Sequence, residues 1–418
     1  MYRRLARSRP CILNTVLLTA FLLEAVIAKS RFGAIIGGWS GHMVLTIIFL
    51  VLLIVRYLSV CVPGLSTYCP RCSVNWTLGI AVGWALVCCI EQPNAYANLV
   101  YLAIFAANIY VCLVVAPSLL LPHFGVNAIV FFAAPIFLTN LANLASGLCG
   151  VPGAYFMGRL RGLSINTLEA GVLGWIGIVL ALWIIVDRPV KFGFGLLLAG
   201  GSFGVVLLSR TRSYMLAALI GSCIMLAGSL RSNALSSRRV RVLVLFMVLL
   251  FTLLGIAVGT NVRVLERARE YLRISGSPDE ILEARMVHWL AGVQFAEEHP
   301  ILGRGPMAKF GNATNPMVNT YEMEACFVNT WLTMAQSYGI PGAVLFALSI
   351  LTMLVLSFRG FGTIPVLSTG LLAAGIASSF SATWLVSFGD VGDRAMLLLL
   401  GITLATGKRQ KRVPVLSR

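Results

Sequence analysis

NVRVLERAREYLRISGSPDEILEARMVHWLAGVQFAEEHPILGRGPMAKFGNATNPMVNTYEMEA, residues 261–325, is the one long polar interval in a chain that is otherwise apolar from end to end. Inside it, Ser277-Pro278-Asp279-Glu280 places a Ser at a helix N-cap, a Pro at the first helical position and a Glu three residues after the cap. That pattern starts a helix. The helix is expected to run to about His299, because Pro300 cannot continue it and biases the residue before it out of the helical region. Ile281, Arg285, His288, Trp289, Gly292 and Phe295 recur at three- and four-residue steps and share one face. Arg285 sits within that apolar stripe, where a guanidinium must meet an anion or several carbonyls because it cannot shed its proton.

The remainder is set by composition. Of 418 residues, 58% are hydrophobic and only 11% charged, and the mean hydropathy is +0.89. Soluble domains carry roughly 25% charged residues, so this chain cannot cover a surface facing water and reads as an all-α polytopic membrane protein. The net charge of +17 is distributed in short basic runs between apolar segments. Membrane topology and anionic lipid explain such runs, and nucleic acid is not expected as a partner. The N-terminal Arg3, Arg4, Arg7 and Arg9 followed by an apolar run read as an uncleaved first span rather than a signal peptide. Most of the 10 cysteines fall within apolar spans and act as small hydrophobes, and Cys69-Pro70-Arg71-Cys72 lacks the second pair that a zinc site needs.

Crossing the hydrocarbon takes about 17 to 25 apolar residues. About twelve segments qualify, near 11–28, 42–60, 74–90, 95–116, 124–145, 167–186, 191–208, 213–230, 240–260, 326–357, 363–383 and 388–406. The chain is therefore expected to form a single integral membrane domain, 1–418, with 261–325 as a long loop between spans nine and ten. With alternating spans, the N-terminal arginines, Arg56 with Arg71, Arg188 with Lys191, the run Arg231 to Arg241, Arg359 and the run Lys408 to Arg412 all share one side. By the positive-inside rule that side is the cytoplasm, and both termini lie there. The segments near 29–41, 146–166, 209–212, 261–325 and 388 are left outside. Three of these carry arginines against the trend: Arg159 and Arg161, Arg210 and Arg212, and Arg285 with Arg304. Pairing with lipid phosphate or structural carboxylates accounts for any one of them. Three together point to an outward-facing anion site. The segment 262–274 reads either as an amphipathic helix at the bilayer surface or as a solvated connector laced by ion pairs.

Ser209-Arg210-Thr211-Arg212-Ser213 sits at the outer end of a span, where both guanidiniums reach the headgroup layer and their planar forks suit a diphosphate. From here the chain resembles a known family. Arg161-Gly162-Leu163 with Asn166, then Ser-Arg-Thr-Arg-Ser, then Arg285, Trp289, Phe295 and Pro300-Ile301-Leu302-Gly303-Arg304-Gly305, then Asn329-Thr330-Trp331-Leu332 and Tyr338-Gly339-Ile340-Pro341-Gly342 resemble the O-antigen ligase and polymerase superfamily over about 158–343. The resemblance implies a GT-C-like membrane enzyme and a metal-independent, inverting glycosyl transfer on the outer face of the bacterial inner membrane, with no cofactor. It implies as partners an oligosaccharide on undecaprenyl diphosphate, membrane lipid and a chain-length regulator. By position, Arg212 (or its neighbour Arg210) and Arg285 match the family's essential arginines, and Arg161 lies in the associated loop. Arg304, Trp289 and Asn329 join Arg210 and Arg161 as substrate-binding candidates.

One departure bears on the reaction. Ligases carry a His directly before the Asn that corresponds to Asn329, and here that position holds Val328. Valine cannot take a proton, which favours a polymerase over a ligase. Glu322 and Glu324 are then the nearest carboxylates for a base, with pairing to an arginine or plain solvation as their simpler role. The expected activity is a polysaccharide polymerase of exopolysaccharide or O-antigen type. The alternatives are a ligase with a different acceptor, or a lipid-linked sugar transporter or flippase; the latter calls for broken helices in matching halves, and no such pairing is visible in the sequence. Asp390, Asp393 and Arg394 at the last outer turn read as a local ion-pair cluster in preference to a transporter's relay.

Overall fold

The computed structural model describes residues 12–28, 30, 32–36, 38–61, 73–92, 94–156, 158–164, 167–231, 289–290, 292–306, 329–358, 363–380 and 391–412. Eleven long helices are present among them: α1 Ile12–Ala28, α2 Gly38–Cys61, α3 Ser73–Glu91, α4 Ala95–Phe124, α5 Asn127–Leu148, α6 Thr167–Asp187, α7 Phe192–Ser209, α8 Arg212–Arg231, α9 Thr330–Phe358, α10 Thr363–Ser379 and α11 Val391–Arg412. Each coincides with one of the expected spans. The span expected near 240–260, the start of the loop helix at Ser277 and the CxxC lie outside the described residues. Seven of the helices are long and apolar enough to cross a membrane, and the chain is an all-α polytopic membrane protein.

α6 is the axis of the bundle: 89% of its apolar window is buried, against 33% for α7. Lipid tails are as apolar as Leu, so packing and not water drives helices together here, and small residues let backbones approach. α6 places Gly171, Gly174 and Gly177 on one face, against Tyr214 and Ser209, Val206, and Ser202 respectively. A Cβ at Gly177 would also strike Asn140 of α5, whose amide donates to the Leu173 carbonyl at 3.0 Å and to Ser202 Oγ at 3.0 Å. Trp175 and Trp183, both fully buried, fill the rest of α6's surroundings. α4 runs continuously for 30 residues but opens into a π turn over Val111–Val115. Pro117 follows, and its ring displaces the carbonyl four residues back, which is the local cause of such a turn. α11 fits its Gly401 into that bulge.

The loops expected on one side of the membrane meet in pairs at one end of the bundle. Ser30 bridges Ser164, Arg159 bonds the turn between α7 and α8, Gln92 bonds Leu302, and Asn329 bonds the Phe380 carbonyl. At the same end, Arg394 of α11 is fully buried and donates to Glu24 of α1 at 2.5 Å, Thr46 of α2 at 2.6 Å and the Phe21 carbonyl at 2.7 Å. His42 Nδ1 meets the other oxygen of Glu24. The ion pair of Arg394 is therefore with the first helix and not confined to its own turn, because α11 turns that face inward; Asp390 lies outside the described residues.

Candidate functional site

Two constructions occupy this end. The first is a hairpin between α5 and α6, in which Tyr155 pairs with Leu160 and Phe156 with Arg159. Its turn passes Gly158, and a Cβ there would lie 3.5 Å from Arg210 Nη1. Its exit passes Gly162, at φ +62 and so close to Asn143 that any side chain would meet that residue's backbone. Arg159 Nε donates to the Ser209 carbonyl at 3.0 Å, and its Nη2 to Thr211 Oγ1 at 2.8 Å. The Ser209 carbonyl is one of the groups that the end of α7 leaves without a helical partner. Arg161 Nε donates to the Gly153 carbonyl at 2.8 Å, and its guanidinium lies 5.5 Å from the centroid of Phe156. Arg210 closes α7 in the left-handed conformation, φ 51 and ψ 35. A non-glycine residue held there costs on the order of 1 kcal/mol or more, a strain found preferentially at functional positions.

The hairpin thus brings Arg159 and Gly158 against the turn that carries Arg210, with Arg161 two residues on. Arg212 opens α8 in the same turn; its backbone is placed there and its side chain lies outside the described set. Arg285, Glu322 and Glu324 also lie outside it. Reading the sequence by itself marked Arg159 only as one of several outward arginines; its clamp on Ser209 and Thr211 needs the hairpin register, which no spacing announces. Glu169, a buried carboxylate in the first turn of α6 just after the hairpin, was not singled out either. The signal for it was present, since Asn166-Thr167-Leu168-Glu169 has the spacing of a capping box.

The second construction docks the end of the long loop onto α9. Residues 292–298 are helical and stop before Pro300, as expected. The following turn then inserts where α9 breaks, at Tyr338 (φ −132, ψ 17) and Gly339 (φ 70, ψ 173). A broken helix leaves carbonyls and amides unpaired, and the turn supplies the missing partners. Arg304 N–H donates to the Gln336 carbonyl at 2.7 Å, Gly305 N–H to Ser337 at 3.2 Å, and Ile340 N–H to Pro300 at 2.8 Å. Side chains of α3 and its following turn complete the set: Trp84 Nε1 donates to the Tyr338 carbonyl at 3.0 Å and Gln92 Nε2 to Ser337 at 2.9 Å. Here the two glycines are required, since a Cβ on Gly303 would lie 2.5 Å from the Gln336 carbonyl and one on Gly339 would overlap the Ile301 carbonyl. The Arg304 guanidinium pairs with Glu298 at 3.0 Å and lies 4.7 Å from the Phe295 ring centroid. Asn329 caps α9: its Oδ1 accepts from the amides of Trp331 (2.9 Å) and Leu332 (3.2 Å) while its Nδ2 donates to Phe380. Trp289 is half-buried at the start of the described stretch.

Residues 194–347, which take in α7, α8, the long loop and the break in α9, match the family model described as O-antigen ligase. The match supports membership of the O-antigen ligase and polymerase superfamily. No curated protein matches it. For a superfamily member the activity is membrane glycan processing of the glycosyltransferase-like, ligase or polymerase type, on a lipid-linked oligosaccharide. The matched segment contains Arg210, Arg212, Arg285, Arg304 and Asn329 but begins after the hairpin that carries Arg159 and Arg161.

Proposed function

We propose that this superfamily member is a polysaccharide polymerase. It transfers the growing glycan from undecaprenyl diphosphate to a new lipid-linked repeat unit, at the periplasmic face of the bacterial inner membrane. The observation that carries the reading is the hairpin clamp, which sets Arg159 on the Ser209–Thr211 turn and so gathers the backbone positions of Arg159, Arg210 and Arg212 at one helix end. Guanidiniums fixed before the reaction stabilise charge that develops as a diphosphate leaves, without reorganising to do so. In the reaction the acceptor hydroxyl oxygen attacks the anomeric carbon of the donor. The bond from that carbon to the diphosphate oxygen breaks, the configuration inverts, and the hydroxyl proton passes to a carboxylate. Glu322 and Glu324 are the candidates for that base; Arg212 and Arg285 hold the departing diphosphate; Arg161, Arg210, Arg304, Trp289 and Asn329 line or brace the site.

Val328, where a ligase has its His, is what favours a polymerase over transfer to a different acceptor. The test is replacement of Arg212 or Arg285 by Ala. Each variant is expected to reach the membrane yet make no long polymer, with single-unit lipid-linked intermediates accumulating. Normal chain lengths in both would overturn the reading. A reconstituted assay offering a lipid-linked repeat and an unrelated acceptor separates polymerase from ligase, and one that follows substrate sidedness separates either from a flippase.

A further inference from the structure

A cavity of about 460 Å³ lies between α1 and α5, beneath the exit of the hairpin. Thr19, Leu23, Val26 and Ile27 of α1 form one wall. The other runs along α5 from Phe131 to Asn143, a rise of about 18 Å at 1.5 Å per residue. That is more than half of the roughly 30 Å hydrocarbon layer. Leu23, Ile27, Phe32 and Leu138 on its margins are exposed, so the groove opens sideways from the bundle. Its walls are almost entirely apolar, and its roof is not. Ser30 and Ser164 are bridged across the top, and Asn143 stands beneath them.

Asn143 is 1% exposed. Its Oδ1 accepts from Leu163 N–H at 2.9 Å, while its Nδ2 has no hydrogen-bond partner among the described residues. A buried amide donor left unsatisfied costs free energy and calls for an explanation. The segment that roofs the groove at Leu163 and Ser164 is the direct continuation of Arg159 and Arg161. A molecule filling this shape therefore has a long hydrocarbon chain in the groove, an acceptor oxygen at Asn143 and an anionic head beside the arginine hairpin.

We propose that this groove holds the phosphate-proximal isoprene units of a prenyl diphosphate, with Asn143 Nδ2 donating to a phosphate oxygen at its rim. The inference rests on the functional reading above for the identity of the lipid. Its test needs no turnover. The full-length protein in nanodiscs is photolabelled with a prenyl diphosphate bearing a diazirine in an isoprene unit near the phosphate, and the labelled peptides are mapped. Labelling is expected on 12–28 and 127–148, competed by undecaprenyl diphosphate and not by phosphatidylglycerol. Ala134→Phe and Ala142→Phe, which fill the groove from α5, are expected to weaken labelling roughly tenfold, the equivalent of unburying about two methylenes. Asn143→Asp keeps the acceptor for Leu163 but removes the donor and adds a charge, and is expected to weaken it as well. Labelling elsewhere, equal competition by phosphatidylglycerol, or full labelling in both Phe variants overturns the proposal. The two readings fail separately. A protein that labels in the groove but transfers no glycan sinks the polymerase. One whose Phe variants polymerise and label as the parent does sinks only the groove.

Discussion

Arg159 and Arg210 illustrate how one residue type serves two purposes at one helix end. Arg159 has two of its donors committed to the chain, on Ser209 and Thr211; Arg210 sits in a conformation that glycine would adopt without strain. Replacing Arg159 with Lys removes the two-pronged geometry while keeping the charge, so glycan transfer is expected to fall severalfold or more, with little loss of protein from the membrane. Arg210→Gly is expected to raise thermal stability by on the order of 1 kcal/mol, through relief of the left-handed strain, and to lower transfer. Stability and activity moving in opposite directions is the signature of a residue kept for function, and thermal unfolding in detergent beside a transfer assay reads both. At the far side of the same end, Arg394→Met leaves Glu24 buried without its cation. Breaking a buried pair from one side costs about 3–5 kcal/mol, so a large drop in unfolding temperature is expected. A much smaller one in the double variant Glu24→Leu with Arg394→Met would show the cost to be the orphaned charge.

At the scale of elements, the break in α9 explains why a 29-residue apolar helix is found where about 20 suffice. The stretch beyond Gly339 is long enough to cross the hydrocarbon, and the eight residues before Tyr338 form a separate outer helix of about two turns. The Tyr-Gly-Ile-Pro-Gly sequence was legible as a motif, and its use was not. Only the structure shows that Gly339 is there because the Pro300–Arg304 turn occupies the space a side chain would need. Gly339→Ala is therefore expected to undock the long loop. Limited proteolysis within 299–306 should accelerate while the remaining helices stay protected, and an unchanged digestion pattern would contradict the docking role. Asn329 carries a similar lesson, since its place in the motif suggested substrate while its amide caps α9 and ties it to Phe380. Motif membership marks a position; which partner claims the side chain depends on chain segments about fifty residues away.

For the molecule as a whole, loops that the alternation of basic runs expects on one side meet pairwise at one end, and the proposed function has that end facing the periplasm. A cysteine introduced at Lys309 in a cysteine-free background is expected to react with a membrane-impermeant maleimide in cells with a permeabilised outer membrane. One introduced at Ser236 is expected to react only after the inner membrane is opened. The reverse pattern would move the proposed chemistry to the cytoplasm and end the polymerase reading.

The apolar load of the chain, and its interruption by one polar loop and outward arginines, were determined by the sequence alone. A bilayer demands runs of a set length, and a guanidinium in such company demands an anion or carbonyls wherever it lies. What waited for the tertiary structure was every pairing between distant segments: Arg159 with Ser209, Arg394 with Glu24, the loop turn with the broken α9, and the groove between α1 and α5. Periodicity reports which face of a helix is buried. It carries no information about which neighbour does the burying, and hydrogen bonds of this kind form only once packing has chosen that neighbour.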